Sequence, residues 1–326
     1  MKRVFVWSTL DTPFIRDDVE LLREHFAVEL KIASGFRALP MIVRGVRNSD
    51  VSISWFGSVY SVPLIFFAGL FRRRSVVIIG GVDAARDPQN NYGIWRSRWK
   101  STLLRWGLPR AHHILAVAES LAAELRQRVG CPLPQLETLP TGYAPNRWVP
   151  SGSPAEATVL CVANCDTPQR LAIKGIDLLL IAAQQLPELQ ISIIGIAPAV
   201  RALLPPVPSN VTILPPIPRD QLLPRYQQAM IFCQPSRREG LPNTLCEAML
   251  CGCIPVGADV GGIGDAIGDA GFVVPPNDPE ALRHALAAAA QLPQRHGLRA
   301  RDRVVAKFSR SQREARLVQI ITGKQP

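Results

Sequence analysis

The stretch "MIFCQPSRREGLPNTLCEAMLCGCIPVGAD", residues 230–259, decides the fold class because it reads as strand, loop, helix and strand. Its two ends, 230–236 and 253–259, are short apolar runs, and an apolar helix is predicted between them over 242–252. Strands joined in this way by a single helix are typical of a parallel sheet that is covered by helices.

The same alternation of strands and helices runs along the rest of the chain. The other predicted strands are 4–10, 28–33, 51–57, 75–81, 112–118, 158–164, 189–195, 211–216 and 271–276. The other predicted helices lie near 17–26, 61–71, 95–106, 119–129, 175–186, 219–229, 279–292 and 294–307. The alternation of strands and helices is interrupted at 146–158, where Pro, Ser and Gly cluster. The pattern therefore predicts an α/β protein with two doubly wound, Rossmann-like parallel-sheet domains, 1–150 and 151–326, facing each other across a cleft. The last helix of the second domain is expected to pack back on the first.

The composition is that of a folded, basic protein. A chain of 326 residues with 47% hydrophobic and 19% charged residues is long enough for two cores and argues against extended disorder. The net charge is +11, and residues 1–150 carry 20 Lys and Arg against 12 Asp and Glu. This imbalance indicates an anionic partner such as phospholipid, nucleic acid or an acidic glycan, or simply a soluble basic surface.

Cysteine usage and hydropathy favour a reducing cytosol. The seven cysteines form no regular framework, and the N-terminal stretch lacks the pattern of a secretory signal. Cys251 and Cys253 have no second Cys/His pair at a matching spacing, so we expect no metal site. No apolar run reaches the roughly 20 residues of a membrane-spanning helix. No dinucleotide fingerprint follows the first strand of either half, which weakens a dehydrogenase interpretation.

Two carboxylates lie eight residues apart in the segment quoted above. Glu239 follows a strand, at the sheet edge where open α/β proteins bind ligands, and it can accept hydrogen bonds from sugar hydroxyls. Pro242 suits the first turn of the next helix, which leaves the N–H groups of 240–244 for phosphate or sugar oxygens. Glu247 has two acceptor oxygens that suit the vicinal hydroxyls of a ribose. The alternative is that both are solvated surface charges.

Here the sequence becomes recognisable, because 236–256 resembles the E-x7-E segment of retaining glycosyltransferases with the GT-B fold. These belong to family four, glycosyl transferases group 1. "IKGIDLLLIAAQQL" (173–186) resembles the Lys-Gly that opens the first long helix of their donor domain. The segment 259–286 is similar to their Gly-Gly loop, final strand and closing helix, and 116–127 and 139–148 resemble two landmarks of their N-terminal domain. The resemblance covers essentially the whole chain.

The resemblance implies a role for each matching residue. Glu247 would hold the ribose of a nucleotide sugar, and Glu239 would hold the transferred sugar near its reacting face. Lys174 would neutralise the diphosphate, since some fixed cation must stabilise the leaving group where no metal does so. The segment that lines the donor sugar and diphosphate would comprise Gly240, Leu241, Pro242, Asn243 and Thr244.

The chain also departs from the family pattern. Relatives usually carry a Gly-Arg pair after the first donor-domain strand, where this chain has Asn164, and Arg170 is a candidate substitute for the missing arginine. Many relatives place a histidine after the fourth strand, where this chain has Gly80 and Gly81, which allow close approach of a ligand to the backbone. Asp83 is the nearest polar candidate for a catalytic role on the acceptor side, and the alternative is an ordinary turn aspartate.

The resemblance implies a metal-independent, retaining hexosyltransferase without a cofactor. It would move a sugar from a UDP- or GDP-linked donor to a hydroxyl of a carbohydrate or lipid-linked acceptor, in the synthesis of cell-surface polysaccharide or glycolipid. Two alternatives stay open: a nucleotide-sugar epimerase of the same fold, and a non-catalytic module that binds nucleotide sugars. No nucleic-acid partner is expected.

A second feature concerns the place where the protein works. "FFAGLFRRR" (66–74) ends a helix-like run with three arginines, 72–74. A nearby segment, 95–106, combines aromatic residues with basic ones: Trp95, Arg96, Arg98, Trp99, Lys100, Arg105 and Trp106. Such segments suit the interface of an anionic membrane, or else they form a core helix with a solvated end. The resemblance favours a cytoplasmic protein in peripheral contact with the inner face of the membrane.

Overall fold

The computed structural model describes residues 1–152 and 158–323, so the part of the predicted linker at 153–157 lies outside the described residues. The chain divides into two compact units. Unit 1 comprises Met1–Gly142 together with Arg310–Pro326, and unit 2 comprises Tyr143–Ser309.

Unit 1 is built on a sheet of six parallel strands in the order β2-β1-β3-β4-β5-β6. The strands are Arg3–Ser8 (β1), Ala27–Ile32 (β2), Val51–Trp55 (β3), Arg74–Ile79 (β4), His113–Ala116 (β5) and Leu136–Thr138 (β6). The helices between them are Pro13–Arg23 (α1), Ala38–Arg47 (α2), Ser61–Leu70 (α3), Arg98–Gly107 (α4) and Glu119–Val129 (α5).

Unit 2 contains a second sheet of six parallel strands, in the order β12-β11-β10-β7-β8-β9. The strands are Thr158–Cys165 (β7), Gln190–Ile196 (β8), Val211–Leu214 (β9), Ile231–Gln234 (β10), Ile254–Ala258 (β11) and Phe272–Val274 (β12). The helices are Pro168–Lys174 (α6), Ile176–Gln184 (α7), Pro198–Arg201 (α8), Leu222–Gln228 (α9), Asn243–Leu250 (α10), Ile263–Ile267 (α11), Pro279–Ala290 (α12) and Arg295–Lys307 (α13). The last helix of the chain, Arg310–Thr322 (α14), belongs to unit 1.

Both sheets are covered by helices on each face, which confirms the predicted doubly wound class. In unit 1, α14 packs on α1, while α2, α3, α4 and α5 pack side by side. In unit 2, α12 packs on α7, and α13 packs on α10. Right-handed crossovers between parallel strands place such groups on opposite faces of the sheet. Strands that are buried on both faces, as β1, β3, β10 and β11 are, read as continuous apolar runs.

The units divide after Gly142, ahead of the predicted boundary at residue 150. The intervening segment packs with unit 2: the N–H of Tyr143 donates to the carbonyl of Phe308 at 2.9 Å. Trp148 stacks edge-on against Tyr226, with 5.6 Å between the ring centroids. The Pro, Ser and Gly cluster therefore follows residues that already belong to the second core.

None of the helices within 1–152 and 158–323 combines the length and the apolar character that crossing a bilayer requires.

Candidate functional site

Three neighbouring strands of unit 2 bring the predicted donor residues to one edge of its sheet. β11, β10 and β7 are adjacent and parallel, so the loops at their carboxyl ends emerge together. The loop after β7 leads through α6 to Lys174, and the loop after β10 carries Glu239. The turn after β11 holds Gly261 and Gly262, and the N–H of Gly262 donates to the carbonyl of Gly240 at 2.6 Å.

Lys174 and Glu239 form an ion pair within this group of loops. The same carboxylate oxygen, Oε1 of Glu239, also accepts from Gln234 Nε2 at 3.1 Å and from Ser236 Oγ at 3.0 Å. Gly175 makes the approach possible, since its φ is +65° and a Cβ there would lie 2.0 Å from the carbonyl oxygen of Pro235. The predicted sugar-binding and diphosphate-binding side chains are therefore direct partners in the absence of a ligand.

Arg237, which was not predicted from the sequence, connects the loop after β10 to α6 and α7 through hydrogen bonds. Its guanidinium donates from Nη1 and Nη2 to the two carboxylate oxygens of Asp177, each at 2.7 Å. It also donates to the carbonyl of Ala172 at 2.6 Å and to Asn277 Oδ1 at 2.6 Å. A planar fork of donors is suited to this role, and it fixes the Glu239 loop against the end of α6 that carries Lys174.

Glu247 lies on α10 and is only 1% exposed. Its Oε1 accepts from Arg219 Nε at 2.7 Å, and its Oε2 accepts from the hydroxyl of Tyr226 at 3.1 Å. Burial and the neighbouring Glu247 charge raise the pKa of Tyr226 well above its usual value, so the phenol stays protonated and donates. The alternative that Glu247 is a solvated surface charge is therefore wrong, because its carboxylate is buried and has a cation and a hydroxyl as partners.

The 240–244 segment packs tightly against its surroundings. Leu241 is buried, and α10 begins at Asn243, with Pro242 at the N-cap position rather than inside the first turn. Asn243 Oδ1 accepts from the hydroxyl of Tyr143 at 2.8 Å. Thr244 Oγ1 lies 3.5 Å from Gln234 Oε1, at the long limit of a hydrogen bond. These contacts fix the course of the backbone at the sheet edge.

Asn164, near the end of β7, and Arg170, on α6, are both exposed to solvent. Arg170 Nε lies 3.5 Å from Asp166 Oδ1, and its Nη1 lies 3.5 Å from the carbonyl of Asn164. Thr167 caps α6 by accepting from the backbone N–H of Arg170 at 3.3 Å. Arg170 thus lies one helical turn before Lys174, on the same short helix, and its charge faces water.

In unit 1, Asp83 is buried, and its carboxylate binds the backbone of the loops after β3 and β4. It accepts from the N–H of Gly57 at 2.8 Å, of Gly80 at 3.0 Å and of Gly81 at 2.7 Å. Burial raises the pKa of Asp83, and these backbone donors partly offset the effect. The indole of Trp95 donates to the carbonyl of Asp83 at 2.7 Å. The structure therefore favours the alternative that Asp83 is a turn aspartate. The backbone N–H groups of Gly80 and Gly81 donate to its carboxylate rather than to a ligand.

The aromatic and basic segments of unit 1 divide into structural and exposed residues. Trp95 is buried, whereas Trp99 and Trp106 are 62% and 42% exposed. Arg73 pairs with Asp50 at 3.3 Å. Several other arginines donate to backbone carbonyls: Arg74 to Ile320, Arg96 to Asn91 and Arg105 to Arg128. In the three-arginine run, Arg73 and Arg74 thus have partners within the protein, and Arg72 is exposed.

Cys251 and Cys253 behave as buried thiols. Burial is the main cause that raises the pKa of Cys251 to about 12 and that of Cys253 well above its usual value. The Cys253 thiol donates to the carbonyl of Tyr226 at 3.2 Å. Within the described residues, one group of side chains has the types and spacing that could hold a metal: Glu24, His25 and Glu314. It is largely exposed, and Arg310 already neutralises Glu24 at 2.5 Å.

Comparison with known proteins gives a family match for the second half of the chain. Residues 156–291 match the family model for glycosyl transferases group 1. The protein WcaL of Escherichia coli, named a colanic acid biosynthesis glycosyltransferase, is 27% identical over 264 residues, which cover 75% of this chain and 62% of that protein. The D-inositol 3-phosphate glycosyltransferase of Mycolicibacterium gilvum is 34% identical over 122 residues, or 33% of this chain and 27% of that protein. The chain thus covers less than two thirds of the length of either relative.

Solved structures resemble the chain over nearly its full length. Sucrose-phosphate synthase from Thermosynechococcus elongatus has a TM-score of 0.80 at 17% identity, over 99% of both chains. HepE from Anabaena, solved with UDP, has a TM-score of 0.76 at 15% identity, over 99% of this chain and 100% of that one. At these identities the likeness establishes the fold, which is GT-B as predicted. The chain therefore has the GT-B fold, and its second half is similar in sequence to glycosyl transferases group 1 over 156–291.

Proposed function

We propose that the protein is a retaining glycosyltransferase that moves a sugar from a nucleoside diphosphate sugar to an acceptor hydroxyl. The observation that carries this proposal is the contact in unit 2 between Lys174, the last residue of α6, and Glu239 in the loop after β10, with the buried Glu247 on the helix that follows this loop. The named activity of the Escherichia coli relative supports it, as do the structures of Anabaena HepE with UDP and with UDP-glucose.

In this proposal the diphosphate is held by Lys174 and by backbone N–H groups of 240–244. A fixed ammonium group stabilises the charge that develops on the leaving diphosphate, in the position that a metal occupies in other enzymes. Because Lys174 is paired with Glu239 in the free protein, the donor must share or replace that partner. We therefore propose turnover without a metal ion.

Glu239 would hold the transferred sugar, and Glu247 the ribose. Both are carboxylates with hydrogen-bonding capacity beyond their present partners, because each oxygen accepts more than one bond. Catalysis then rests on positioning and electrostatic stabilisation rather than on a protein nucleophile. Within unit 1, the carboxylate of Asp83 accepts hydrogen bonds from backbone N–H groups, so Asp83 has no chemical step in this proposal. The acceptor class remains a carbohydrate or a lipid-linked sugar, as in polysaccharide synthesis.

Two other functions fit the fold and make different predictions. An epimerase would interconvert the free donor without an acceptor, and a binding module would bind nucleotides without turnover. Thermal unfolding with UDP, GDP, ADP and their sugars identifies the ligand, since a ligand at 100 times its Kd stabilises by about 2.7 kcal/mol. Donor consumption by the purified protein, with and without carbohydrate acceptors, then separates the three functions.

Lys174→Ala should depress turnover strongly with any donor, because the leaving diphosphate loses its cation. A single electrostatic donor of this kind is worth about 3 kcal/mol, or roughly a hundredfold in kcat. Lys307→Ala, which changes an exposed lysine of α13, is the matched control and should leave the rate unchanged. Equal rates for Lys174→Ala and the wild type would remove Lys174 from the mechanism, and a large inhibition by chelator would refute metal independence.

We further propose that unit 1 contacts an anionic membrane through an aromatic-basic surface on α3 and α4. This surface consists of Phe66, Leu70, Trp99, Lys100, Trp106 and Arg110. Phe66 and Leu70 are 49% and 61% exposed. The rings of Phe66 and Trp106 lie 6.2 Å apart, and the Arg110 guanidinium lies 4.6 Å from the Trp106 ring.

Charge and shape both favour a lipid surface as the occupant. Aromatic rings flanked by cations suit the headgroup region, and each cation near an anionic surface contributes about 1 kcal/mol. The Lys100 ammonium lies 5.7 Å from the Trp99 ring, which repeats the pairing seen at Trp106. We therefore propose that the aromatic-basic surface, rather than the arginines at 72–74, supplies the positive charge that contacts the membrane.

Co-sedimentation with vesicles tests this proposal. We expect binding to anionic but not to neutral vesicles, with loss at high salt. The triple variant Trp106→Ser, Arg110→Ser, Lys100→Ser should weaken sedimentation at least tenfold, while Arg23→Ser, an exposed arginine of α1, should not. If the wild type fails to sediment with anionic vesicles at low salt, the contact does not exist and the acceptor is reached in solution.

A further inference from the structure

Arg219 holds the carboxylate of Glu247 from the side opposite Tyr226. Its Nε and Nη2 lie 2.7 and 2.6 Å from Oε1 of Glu247. The other face of the guanidinium lies over the indole of Trp148, 5.5 Å from the ring centroid. Trp148 in turn packs edge-on against Tyr226. The four side chains thus form a closed ring of contacts, which we call the Glu247 network.

A carboxylate as buried as Glu247 needs a cation to stay charged. Removing a carboxylate from water is costly, and a single neutral donor such as Tyr226 does not compensate for the loss of hydration. Arg219 supplies a permanent charge, because a guanidinium does not lose its proton in proteins. Its side chain is itself 17% exposed, so the network reaches the surface on the Arg219 side.

We propose that Arg219 is a positioning residue for nucleotide binding: it keeps Glu247 ionised and turned toward the ribose hydroxyls of the donor. This inference rests on the proposed function, and it adds Arg219 and its support, Trp148, to the nucleotide site. The E-x7-E spacing gives no sign of either residue, since Arg219 lies in a short 3₁₀ turn and Trp148 precedes unit 2's first strand.

The other ionisable groups around Glu247 keep one charge state between pH 6 and pH 9. The pKa of Cys246 and of Cys251 is raised to about 12, mainly by burial, and the pKa of Cys253 and Tyr226 lies well above the usual values. Two charged groups lie further out on the neighbouring helices: Arg301 of α13 bonds to backbone carbonyls, and Asp265 of α11 is exposed. A pH dependence that appears when Arg219 is replaced therefore reports on Glu247.

The test is the pH profile of nucleotide affinity for Arg219→Met, measured with UDP, or with GDP if UDP does not stabilise the wild type. Without the cation, the pKa of a buried carboxyl rises, so Glu247 becomes protonated as the pH falls. The ratio of the variant's Kd to that of the wild type should grow about tenfold from pH 9 to pH 6. A tenfold change in this ratio corresponds to a shift of about one unit in the pKa of Glu247. The ionisation of the ligand affects both proteins equally, so it does not change the ratio of their Kd values.

Two further variants complete the design. Arg219→Lys keeps the charge without the planar fork, and it should restore a flat ratio with a smaller, uniform loss of affinity. Arg225→Met removes an exposed arginine of α9 and should match the wild type at every pH. The melting temperature of each variant without ligand shows whether it is folded.

The outcomes separate this inference from the proposed function. If the wild type binds a nucleotide but the ratio for Arg219→Met is flat with pH, Arg219 does not control the charge of Glu247 and the inference is wrong. The same conclusion follows if Arg219→Lys shows the full pH dependence of the Met variant. If the wild type binds none of UDP, GDP and ADP, the proposed function fails, and the inference fails with it.

Discussion

Lys174 and Glu239 neutralise each other in the free protein, and this pairing has a consequence for ligand affinity. Lys174 and Glu239 are 24% and 11% exposed, so their interaction is only partly screened by water. A diphosphate that approaches Lys174 meets the adjacent carboxylate at the same time. A bound sugar relieves this repulsion by donating its hydroxyls to Glu239. At the residue scale, we therefore expect the pair to favour the complete donor over the free nucleoside diphosphate.

Glu239→Gln should accordingly tighten the binding of the free nucleoside diphosphate while it slows sugar transfer. A partly exposed ion pair is worth about 1 kcal/mol, which corresponds to roughly a fivefold lower Kd. Isothermal titration with UDP or GDP measures the change, and Glu188→Gln, at an exposed position, is the control. Weaker binding of the free diphosphate by Glu239→Gln would show that the carboxylate does not compete for Lys174.

The resemblance could point to Lys174, Glu239 and Glu247, because each belongs to a continuous stretch of sequence that matches a family motif. It could not predict their partners. Arg219 reaches Glu247 across 28 positions, and Arg237 reaches Asp177 across 60. Such pairs depend on the order of strands in the sheet, which one sequence does not reveal.

At the scale of elements, α14 is the part of the fold that depends most on one buried pair. Arg313 is 2% exposed and donates from Nε and Nη2 to the two oxygens of Asp18 on α1, each at 2.6 Å. It also donates to the carbonyls of Leu139 and Pro140. The indole of Trp55 donates to Asp18 at 3.0 Å. The pair is therefore fully satisfied, and it anchors the last helix to unit 1.

Arg313→Met should destabilise unit 1 by about 3–5 kcal/mol, because it leaves the carboxylate of Asp18 buried without a cation. Arg316→Met is the contrast: its pair with Glu137 is about one-third exposed and should contribute at most about 1 kcal/mol. Urea unfolding followed by tryptophan fluorescence suits the measurement, since most tryptophans lie in unit 1. Similar losses for the two variants would contradict the importance of burial at Arg313.

Besides α14, whose range was not predicted, two elements of unit 1 were missed from the sequence, for different reasons. α2 contains Pro40 and Gly45, which interrupt a helical pattern, yet Pro40 lies in the first turn, where it is tolerated. Gly45 is required by packing, since a Cβ there would lie 2.3 Å from the ring of Phe5. β6 has only three residues, Leu136–Thr138, in a proline-rich stretch at the sheet edge. By contrast, the long apolar runs of the central strands were all predicted.

At the scale of the whole molecule, the two units serve different parts of the proposed reaction. Unit 2 matches the family over 156–291 and carries the donor residues, whereas unit 1 departs from the family pattern at Gly80 and Asp83. In unit 1 the buried Asp83 binds the backbone of its own loops, and the exposed aromatic-basic surface is the face that we propose contacts an anionic membrane.

The central claim, sugar transfer with retention from a nucleotide sugar, is tested most directly by following the anomeric proton of the donor by NMR during turnover. The donor is the nucleotide sugar that most stabilises the protein, incubated with carbohydrate acceptors in the presence of chelator. We predict loss of the donor signal, release of the nucleoside diphosphate and a new sugar signal with the anomeric configuration of the donor. Inverted product would contradict retention, an epimerised donor would identify an epimerase, and an unchanged donor would identify a binding module.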